Sequence, residues 1–303
     1  TDRVIDRPMR PLFPKDYRND VTLENLVMSV DPDCSPELTA MLGTALAVTI
    51  SDIPFDGPCA MTQVGLIDGK FVINPTNAEK KVSDLQLTVA STAEKVIMIE
   101  AGAKEVPEQV MIDAIFEADK VNKQLIEFFA KIRAEIGKEK HSYESAAIPE
   151  ELFSAIREVI PQEEMEVAVF NDDKQSRDAA VDKLTERCKA AFAENEEWIK
   201  LIPDAMYQYE KKTVRKMILK DHKRPDGRQI TEIRPLAAEI DLLPRVHGSA
   251  MFTRGQTQIL DVCTLAPLSE VQKIDGLDVE VKNKRYMHQY NFPSYSVGET
   301  RVS

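Results

Sequence analysis

The feature that most constrains this chain is a long central segment without glycine. All 11 glycines of the 303 residues lie outside residues 140–222. Because glycine most easily takes the left-handed backbone conformations of tight turns, a segment without it favours helices over hairpins. The segment is rich in alanine and acidic residues and carries helical patterns such as PEELFSAIREVI, SRDAAVDKLTERCKAAFAE and MYQYEKKTVRKMIL. The sequence therefore predicts a small all-α domain that serves as a connector.

The part before this segment mixes helical and strand patterns. SPELTAMLGTALAVTISDI starts with Ser35 as a helix N-cap and is apolar nearly all round, which predicts a buried helix. AMTQVGLIDGKFVINPT contains two alternating runs joined by Asp68-Gly69, a strong hairpin signal, and DLQLTVASTAEKVIMIEAG has the pattern of a second hairpin. A long helix with one apolar stripe follows from Pro107 to Gly137. We therefore predict about four antiparallel strands with this stripe packed against them.

A strand pattern returns after the central segment, at RPDGRQITEIRPLAAEIDLLP. Strands are expected near residues 236–242, 248–253 and 256–264. The predicted fold class is therefore α+β, with antiparallel or mixed sheets packed with helices and an all-α domain between them. The predicted domains are residues 1–139, 140–222 and 223–303.

The charge of the chain is unevenly distributed. The formal net charge of −12 disfavours a generic nucleic-acid binder, since such proteins are usually basic. However, residues 144–204 contain 16 Asp and Glu against 7 Lys and Arg, whereas residues 211–228 contain 8 Lys and Arg against 2 Asp. Because the local field decides what binds at a surface, the net charge is a poor guide here. The charged helical faces are most simply explained as solvated.

The cysteines and histidines show no metal-binding spacing. Cys34, Cys59, Cys188 and Cys263 are far apart, with no C-x-x-C, and the 4 histidines are equally scattered. This pattern argues against a zinc site and against a disulfide framework. Four free thiols are typical of a reducing compartment, so we expect a cytoplasmic protein.

The two ends of the chain carry no targeting or membrane signal. No stretch is long and apolar enough to span a membrane, and the first residues have no apolar region of the kind found in signal peptides. The chain does not start with Met, and its end, SYSVGETRVS, stops in mid-pattern. We expect a fragment cut at both ends.

Three arginines near the start form the first candidate anion site. Arg3, Arg7 and Arg10 fall within roughly 60° of one another on a helical projection, with Ile5, Met9 and Leu12 on the opposite face. Since Pro8 breaks a helical hydrogen bond, we expect a short helix that begins near Arg7 after a non-helical turn. The guanidinium groups are suited to phosphate contact. The competing interpretation is that they form ion pairs with the acidic surface.

A second cationic group lies in LPRVHGSAMFTRGQTQIL, residues 243–260. Arg245 and His247 are two residues apart, so on an extended strand they would point to the same side. Arg254 lies in the turn Thr253-Arg254-Gly255-Gln256. Two arginines and a histidine near glycine are suited to an anion site, because glycine lets backbone amides approach a phosphate. A histidine in a strand is, however, more often a structural hydrogen-bond partner, and the group is equally compatible with a solvated edge.

Two further motifs have mainly structural interpretations. Asp226, between two arginines in RPDGR, is expected to form a local charge network that fixes the turn. Tyr290, Phe292 and Tyr295 have rings that can stack on bases, but core packing is the simpler explanation. The signatures of P-loop, dinucleotide-binding, hydrolase-elbow and zincin sites are all missing from the sequence.

Four motifs together resemble one known family. IDRPMRPLFP, RPDGR, HGSAMFTRGQTQ and YNFPSYSVGET closely resemble the bacterial polynucleotide phosphorylase (polyribonucleotide nucleotidyltransferase) family, and they occur in the order that this family has them. The resemblance extends over essentially the whole chain. It implies two ribonuclease PH-like domains joined by an all-helical domain, three chains in a ring, and single-stranded RNA in the central channel. Proteins of RNA-degradation complexes are further expected partners, and no membrane is implied.

The same resemblance implies a reaction. Inorganic phosphate attacks the 3′-terminal phosphodiester of RNA and releases nucleoside diphosphates, with Mg²⁺ or Mn²⁺, in mRNA degradation; the reverse reaction polymerises nucleoside diphosphates. By this pattern, residues 1–139 are the C-terminal majority of the first ribonuclease PH-like domain, and residues 223–303 are the N-terminal part of the second, catalytic one. The resemblance raises phosphate contact by Arg3, Arg7 and Arg10 above the alternative.

The resemblance also implies what this chain lacks. The family's paired arginines, phosphate loop and metal-binding aspartates lie beyond the position equivalent to Ser303, so no catalytic or metal-binding residue is predicted here. Arg245, His247 and Arg254 are expected mainly as scaffold of the active-site sheet, with RNA contact as a second role. We therefore expect this polypeptide alone to be inactive. Two alternatives remain open, namely a non-catalytic RNA-binding ring subunit of the same fold and an acidic helical adaptor that binds protein.

Overall fold

The computed structural model describes residues 2–277 and 279–301 of the chain. It divides into two compact units. The first contains the residues up to Ser145 together with those from Ala266 onward, and the second contains Ala146–Leu265. In the part of the chain that the structure describes, no helix has the length and apolar character needed to cross a membrane.

The first unit is built around a four-stranded antiparallel sheet with the strand order β2-β1-β3-β4. Its strands are β1 (Ala60–Ile67), β2 (Lys70–Ile73), β3 (Leu85–Ser91) and β4 (Val96–Ala103). Asp68 and Gly69 both have positive φ and form the two-residue loop between β1 and β2, as the Asp-Gly signal predicts. The predicted pair of hairpins is therefore confirmed.

Four helices belong to the same unit. They are α1 (Asp2–Met9), α2 (Pro36–Ile50), α3 (Asn77–Val82) and α4 (Glu108–Ile136). The Ser35 side chain accepts a hydrogen bond from the Leu38 amide, which confirms the predicted N-cap of α2. The helix α4 packs against β1 and β3. The prediction that this helix covers the sheet is therefore confirmed.

Two clusters of buried side chains hold this unit together. The first joins α1 and α2 to the sheet through residues such as Met9, Met41 and Met61. The second lies between α4 and the sheet, around Val64 and Leu87. The helix α2 packs against α1, α4 and β1 and exposes only a narrow stripe of small residues, namely Thr39, Gly43 and Ala47, which explains its nearly uniform apolar sequence.

The second unit begins with the predicted helical segment. Its helices are α5 (Glu150–Val159), α6 (Gln162–Val169), α7 (Lys174–Ala191) and α8 (Glu196–Leu219). Asp173 and Asn195 cap α7 and α8 with side-chain hydrogen bonds to the amides of Ser176 and Trp198. These helices share one apolar core, which includes Leu152, Ile156 and Met206. The prediction that strands give way to helices over this segment is confirmed.

A three-stranded antiparallel sheet follows in the second unit, in the order β5-β6-β7. Its strands are β5 (Leu236–Ile240), β6 (Gly248–Arg254) and β7 (Thr257–Cys263), close to the predicted ranges. Most of its side chains are exposed, including Ile240, Phe252 and Ile259. A further hairpin, β8 (Gln272–Gly276) and β9 (Val279–Lys284), belongs to the first unit.

All four cysteines are free thiols. Cys34 and Cys263 are exposed, whereas Cys59 and Cys188 are buried. Burial raises the pKa of the Cys59 thiol to about 12 and that of Cys188 to about 11. The buried pair therefore behaves as small apolar side chains at neutral pH.

Candidate nucleic-acid interface

The amino-terminal arginines lie on a helix that differs from the expected one. The helix α1 begins at Asp2 and includes Pro8, so the prediction of a helix starting near Arg7 is wrong. The reason is that Pro8 lies one residue from the helix end at Met9, where its missing N–H removes a single hydrogen bond. A 3₁₀ turn over Arg10–Leu12 then continues the chain. The proline thus ends the α-helix instead of starting it.

The arginines of α1 face away from the core. Arg3 and Arg7 are exposed and four residues apart, hence on the same side of the helix. Within residues 2–277 and 279–301 neither has an ion-pair partner, which leaves both guanidinium groups available to a ligand. The apolar side is buried as predicted, since Met9 and Leu12 belong to the core and Ile5 packs against it.

Arg10 has a local partner. Its guanidinium forms an ion pair with Asp6 at 2.6 Å, and its Nε donates to the same carboxylate at 2.9 Å. The hydrogen bond to Asp6 is the main cause of the raised pKa of Arg10. Because the Arg10 side chain is 78% exposed, the pair is weak and can exchange for a phosphate. The ion-pair interpretation thus holds for Arg10 and not for Arg3 or Arg7.

Arg245 and His247 lie in the loop between β5 and β6, outside the expected strand ranges, so the shared direction that an extended strand would give their side chains does not apply. Arg245 has φ of 66°, a left-handed conformation that the tight loop imposes. The backbone N–H of Leu265 donates to Nδ1 of His247 at 2.8 Å. This bond makes His247 a structural partner that ties the loop to the end of β7, as its simpler interpretation predicts.

The structure separates Arg254 from this pair. Arg254 is the last residue of β6 and precedes the two-residue turn Gly255-Gln256, whereas Arg245 and His247 precede the other end of β6. A strand rises about 3.3 Å per residue, so the two places are about 20 Å apart. All three side chains are exposed. They do not form the single cationic face that the sequence suggests.

The carboxyl-terminal aromatic residues are also exposed. The rings of Tyr290 and Phe292 lie 5.8 Å apart with a tilt of 49°, and both are exposed, as is Tyr295. Core packing, the simpler prediction for these three residues, is therefore wrong for this structure. The described residues provide no layer that covers them.

A basic surface on α8 was not among the candidate sites identified from the sequence. Tyr207, Lys211 and Arg215 are exposed and follow one another at intervals of four residues, so they lie along one side of the helix. In the described part of the chain, neither Lys211 nor Arg215 has an ion-pair or side-chain hydrogen-bond partner. The sequence signal for this surface is the positive balance of residues 211–228, with 8 Lys and Arg against 2 Asp.

Three family models match successive parts of the chain. Residues 57–121 match the family model "3′ exoribonuclease family, domain 2", and residues 232–303 match "3′ exoribonuclease family, domain 1". Residues 151–229 match "Polyribonucleotide nucleotidyltransferase, RNA binding domain". The polyribonucleotide nucleotidyltransferase of Lachnoclostridium phytofermentans is 70% identical over 304 residues, which cover 100% of this chain and 44% of that protein. The chain belongs to the polyribonucleotide nucleotidyltransferase family.

Other members of the polyribonucleotide nucleotidyltransferase family match in the same way. The protein of Ruminiclostridium cellulolyticum is 52% identical over 100% of this chain and 43% of its own length. The protein of Listeria welshimeri is 50% identical over 99% of this chain and 42% of its own length. The chain thus spans less than half the length of the curated relatives that it matches. The predicted family and the α+β fold class with ribonuclease PH-like domains are both confirmed.

A solved structure, rice (Oryza sativa) Rrp46, was also matched. It is 15% identical, its TM-score is 0.31, and the match covers 34% of this chain and 49% of that chain.

Proposed function

We propose that this chain is part of a 3′-to-5′ phosphorolytic exoribonuclease, a polyribonucleotide nucleotidyltransferase that acts in mRNA degradation. The observation that carries the proposal is 70% identity to a polyribonucleotide nucleotidyltransferase along the whole chain. The order of the three family models, with the RNA-binding domain between two exoribonuclease domains, supports it. In this function an oxygen of inorganic phosphate attacks the phosphorus of the 3′-terminal phosphodiester of single-stranded RNA, and the bond from that phosphorus to the 3′ oxygen of the preceding nucleotide breaks. The terminal nucleotide is released as a nucleoside diphosphate, and the shortened RNA keeps a 3′ hydroxyl. Polymerisation of nucleoside diphosphates is the reverse reaction.

The chemistry explains why exposed arginines matter. Both the attacking phosphate and the RNA are anionic, so cationic groups must hold them close together. We assign this RNA- and phosphate-binding role to Arg3, Arg7, Arg10, Arg245, His247 and Arg254. Arg3 and Arg7 are the best supported, because their guanidinium groups are exposed and unpaired in the part of the chain that the structure describes. His247 is expected to act by ordering the loop that carries Arg245.

The proposed division of labour follows the family. Residues 1–139 would be the C-terminal majority of the first ribonuclease PH-like domain, residues 140–222 the helical linker, and residues 223–303 the N-terminal part of the catalytic domain. A homotrimeric ring, a cytoplasmic location and contact with RNA-degradation proteins complete the proposal. The phosphate substrate is consistent with the exoribonuclease family models.

The family resemblance implies a divalent metal ion, but the described residues form no candidate binding site for one. Those residues contain no group of three or more His, Cys, Asp or Glu that could hold a metal ion. Mg²⁺ or Mn²⁺ is therefore proposed only for the longer protein, and no step of the reaction is assigned to a metal in this chain.

A phosphorolysis assay tests the proposal. The purified chain, and the same chain extended to the length of its relatives, would be incubated with labelled single-stranded RNA, phosphate and Mg²⁺. We expect RNA binding by both, and release of nucleoside diphosphates by the extended chain only. RNA binding without diphosphate release by the extended chain would favour the non-catalytic ring subunit instead. Diphosphate release by the present chain would contradict the assignment of catalysis to the longer protein.

A further inference from the structure

The carboxyl-terminal half of α8 presents cations that the fold itself does not use. Lys216 forms an ion pair with Glu166 at 2.7 Å, and the ammonium of Lys212 lies 4.6 Å from the centre of the Phe153 ring. Both contacts join α8 to neighbouring helices. Lys211 and Arg215 point elsewhere on the helix and make no ion pair with any described residue. Their charges are therefore available to an external ligand.

These two cations lie in line with an aromatic ring. Tyr207, Lys211 and Arg215 form what we call the α8 stripe, with successive members about 6 Å apart along the helix axis. Tyr207 is 64% exposed, whereas Tyr209 on the opposite side is buried and its hydroxyl donates to the Ile160 carbonyl at 3.1 Å. An exposed tyrosine has no role in the helical core. Next to two free cations, its ring offers a stacking surface.

The acidic residues of the same domain limit where an anionic ligand can bind. Residues 144–204 carry 16 Asp and Glu, so an anionic ligand is repelled from most of the helical surface and attracted only where the sign changes. The stripe is thus a cationic patch on a domain that is acidic over residues 144–204.

We propose that the α8 stripe is a binding surface for single-stranded RNA, in which Lys211 and Arg215 contact phosphates and Tyr207 stacks on a base. Single-stranded RNA is preferred to an acidic protein segment because it uses all three side chains, including the aromatic ring. The inference rests on the proposed function and deepens it, since it locates contacts within the segment that matches an RNA-binding domain model. Exposed phosphate contacts predict binding that weakens steeply with salt.

The test is fluorescence anisotropy of a labelled single-stranded oligoadenylate with the whole chain, over a series of salt concentrations. We expect the double variant Lys211→Gln/Arg215→Gln to raise Kd about tenfold near physiological salt and to lower the salt slope by about 1.4, which corresponds to two lost contacts. Tyr207→Ala should weaken binding about fivefold or more, while Tyr207→Phe should leave it unchanged, because stacking needs the ring and not the hydroxyl.

The matched control removes the same charge from another helix of the domain. Lys174→Gln/Lys183→Gln changes two exposed lysines of α7 and should leave the salt slope unaltered. Equal losses of RNA affinity in both double variants would reject the α8 stripe as the binding surface and leave the proposed function intact. Failure of the unmodified chain to bind RNA would contradict both the inference and the proposed function. A polyglutamate peptide provides the other arm. Loss of its binding alone in the α8 variant would identify a protein-docking surface and reject the inference.

Discussion

The carboxylate of Asp226 holds together the turn that follows α8. Its Oδ2 accepts from Nε of Arg228 at 2.8 Å and forms an ion pair with the same guanidinium at 2.7 Å, with Arg234 at 3.7 Å. The Asp226 and Arg228 side chains are only 17% and 11% exposed. The hydrogen bond from Arg228 is the main cause of the lowered pKa of Asp226. The charge network predicted for this turn is therefore confirmed.

Replacing this carboxylate should destabilise the second unit in a pH-dependent way. Asp226→Asn leaves the largely buried Arg228 without its counter-ion. We therefore expect the free energy of unfolding at pH 7 to fall by about 3 kcal/mol. Because the folded pKa of Asp226 lies below its unfolded value near 3.8, the native carboxylate stabilises the fold above that pH. This contribution disappears as the pH falls through the folded pKa. Urea unfolding from pH 7 down to strongly acidic pH would measure the difference.

The control for this prediction is Asp221→Asn, an exposed carboxylate in the same connection. It should change the free energy of unfolding little at any pH. If the loss of unfolding free energy in Asp226→Asn stayed constant across the pH range, the destabilisation would not come from the ion pair.

Single residues also show where sequence reasoning ends. The Pro-Asp-Gly turn was predictable because its conformation is encoded by adjacent residues. The geometry of Arg245 and His247 was not predictable, since their two-residue spacing fits an extended strand as well as the loop in which they lie. The loop is defined by the bond between His247 and the Leu265 amide, 18 residues away in sequence. A contact of that range leaves no local signal.

At the scale of elements, the join between α4 and the sheet depends on a buried polar side chain. Nδ2 of Asn122 donates to the Val89 carbonyl at 3.0 Å and to Oγ of Ser91 at 3.1 Å. Its Oδ1 accepts from Oγ1 of Thr62 at 2.7 Å. Periodicity predicted that α4 covers the sheet but could not predict this residue, because a polar side chain does not contribute to an apolar stripe. Ile136, the apolar residue at the end of the same helix, is exposed, so the apolar stripe is not buried along its whole length.

Truncating this amide should weaken the first unit. Asn122→Ala removes three hydrogen bonds and leaves buried polar atoms of β1 and β3 without these partners. We therefore expect the free energy of unfolding to fall by about 2 kcal/mol or more. The matched change Gln124→Ala, at an exposed position of the same helix, should cost little. Chemical denaturation followed by circular dichroism would compare them. Similar losses in both variants would mean that helix propensity, and not the network, determines the effect.

At the scale of the whole molecule, the two units have separate apolar cores. The helical core around Ile156 and Met206 contains no residue of the sheet core around Met41 and Met61. Composition predicted a change of domain between these segments, because the glycine-free segment has its own helical pattern. It could not predict which strands belong with which core, since that depends on long-range packing. The expected consequence is that the units unfold in separate transitions.

A pair of core truncations tests this independence. Ile156 and Met61 are both fully buried, one in each core, and truncation to alanine should cost about 3 kcal/mol in either case. The 1 tryptophan of the chain, Trp198, packs against the helical core, so its fluorescence reports on the second unit. Ile156→Ala should lower the urea midpoint seen by fluorescence, whereas Met61→Ala should shift only the remaining transition seen by circular dichroism. If Met61→Ala moved the fluorescence transition by the same amount, the two cores would unfold as one cooperative structure, and the segment that carries the α8 stripe would depend on the first unit for its stability.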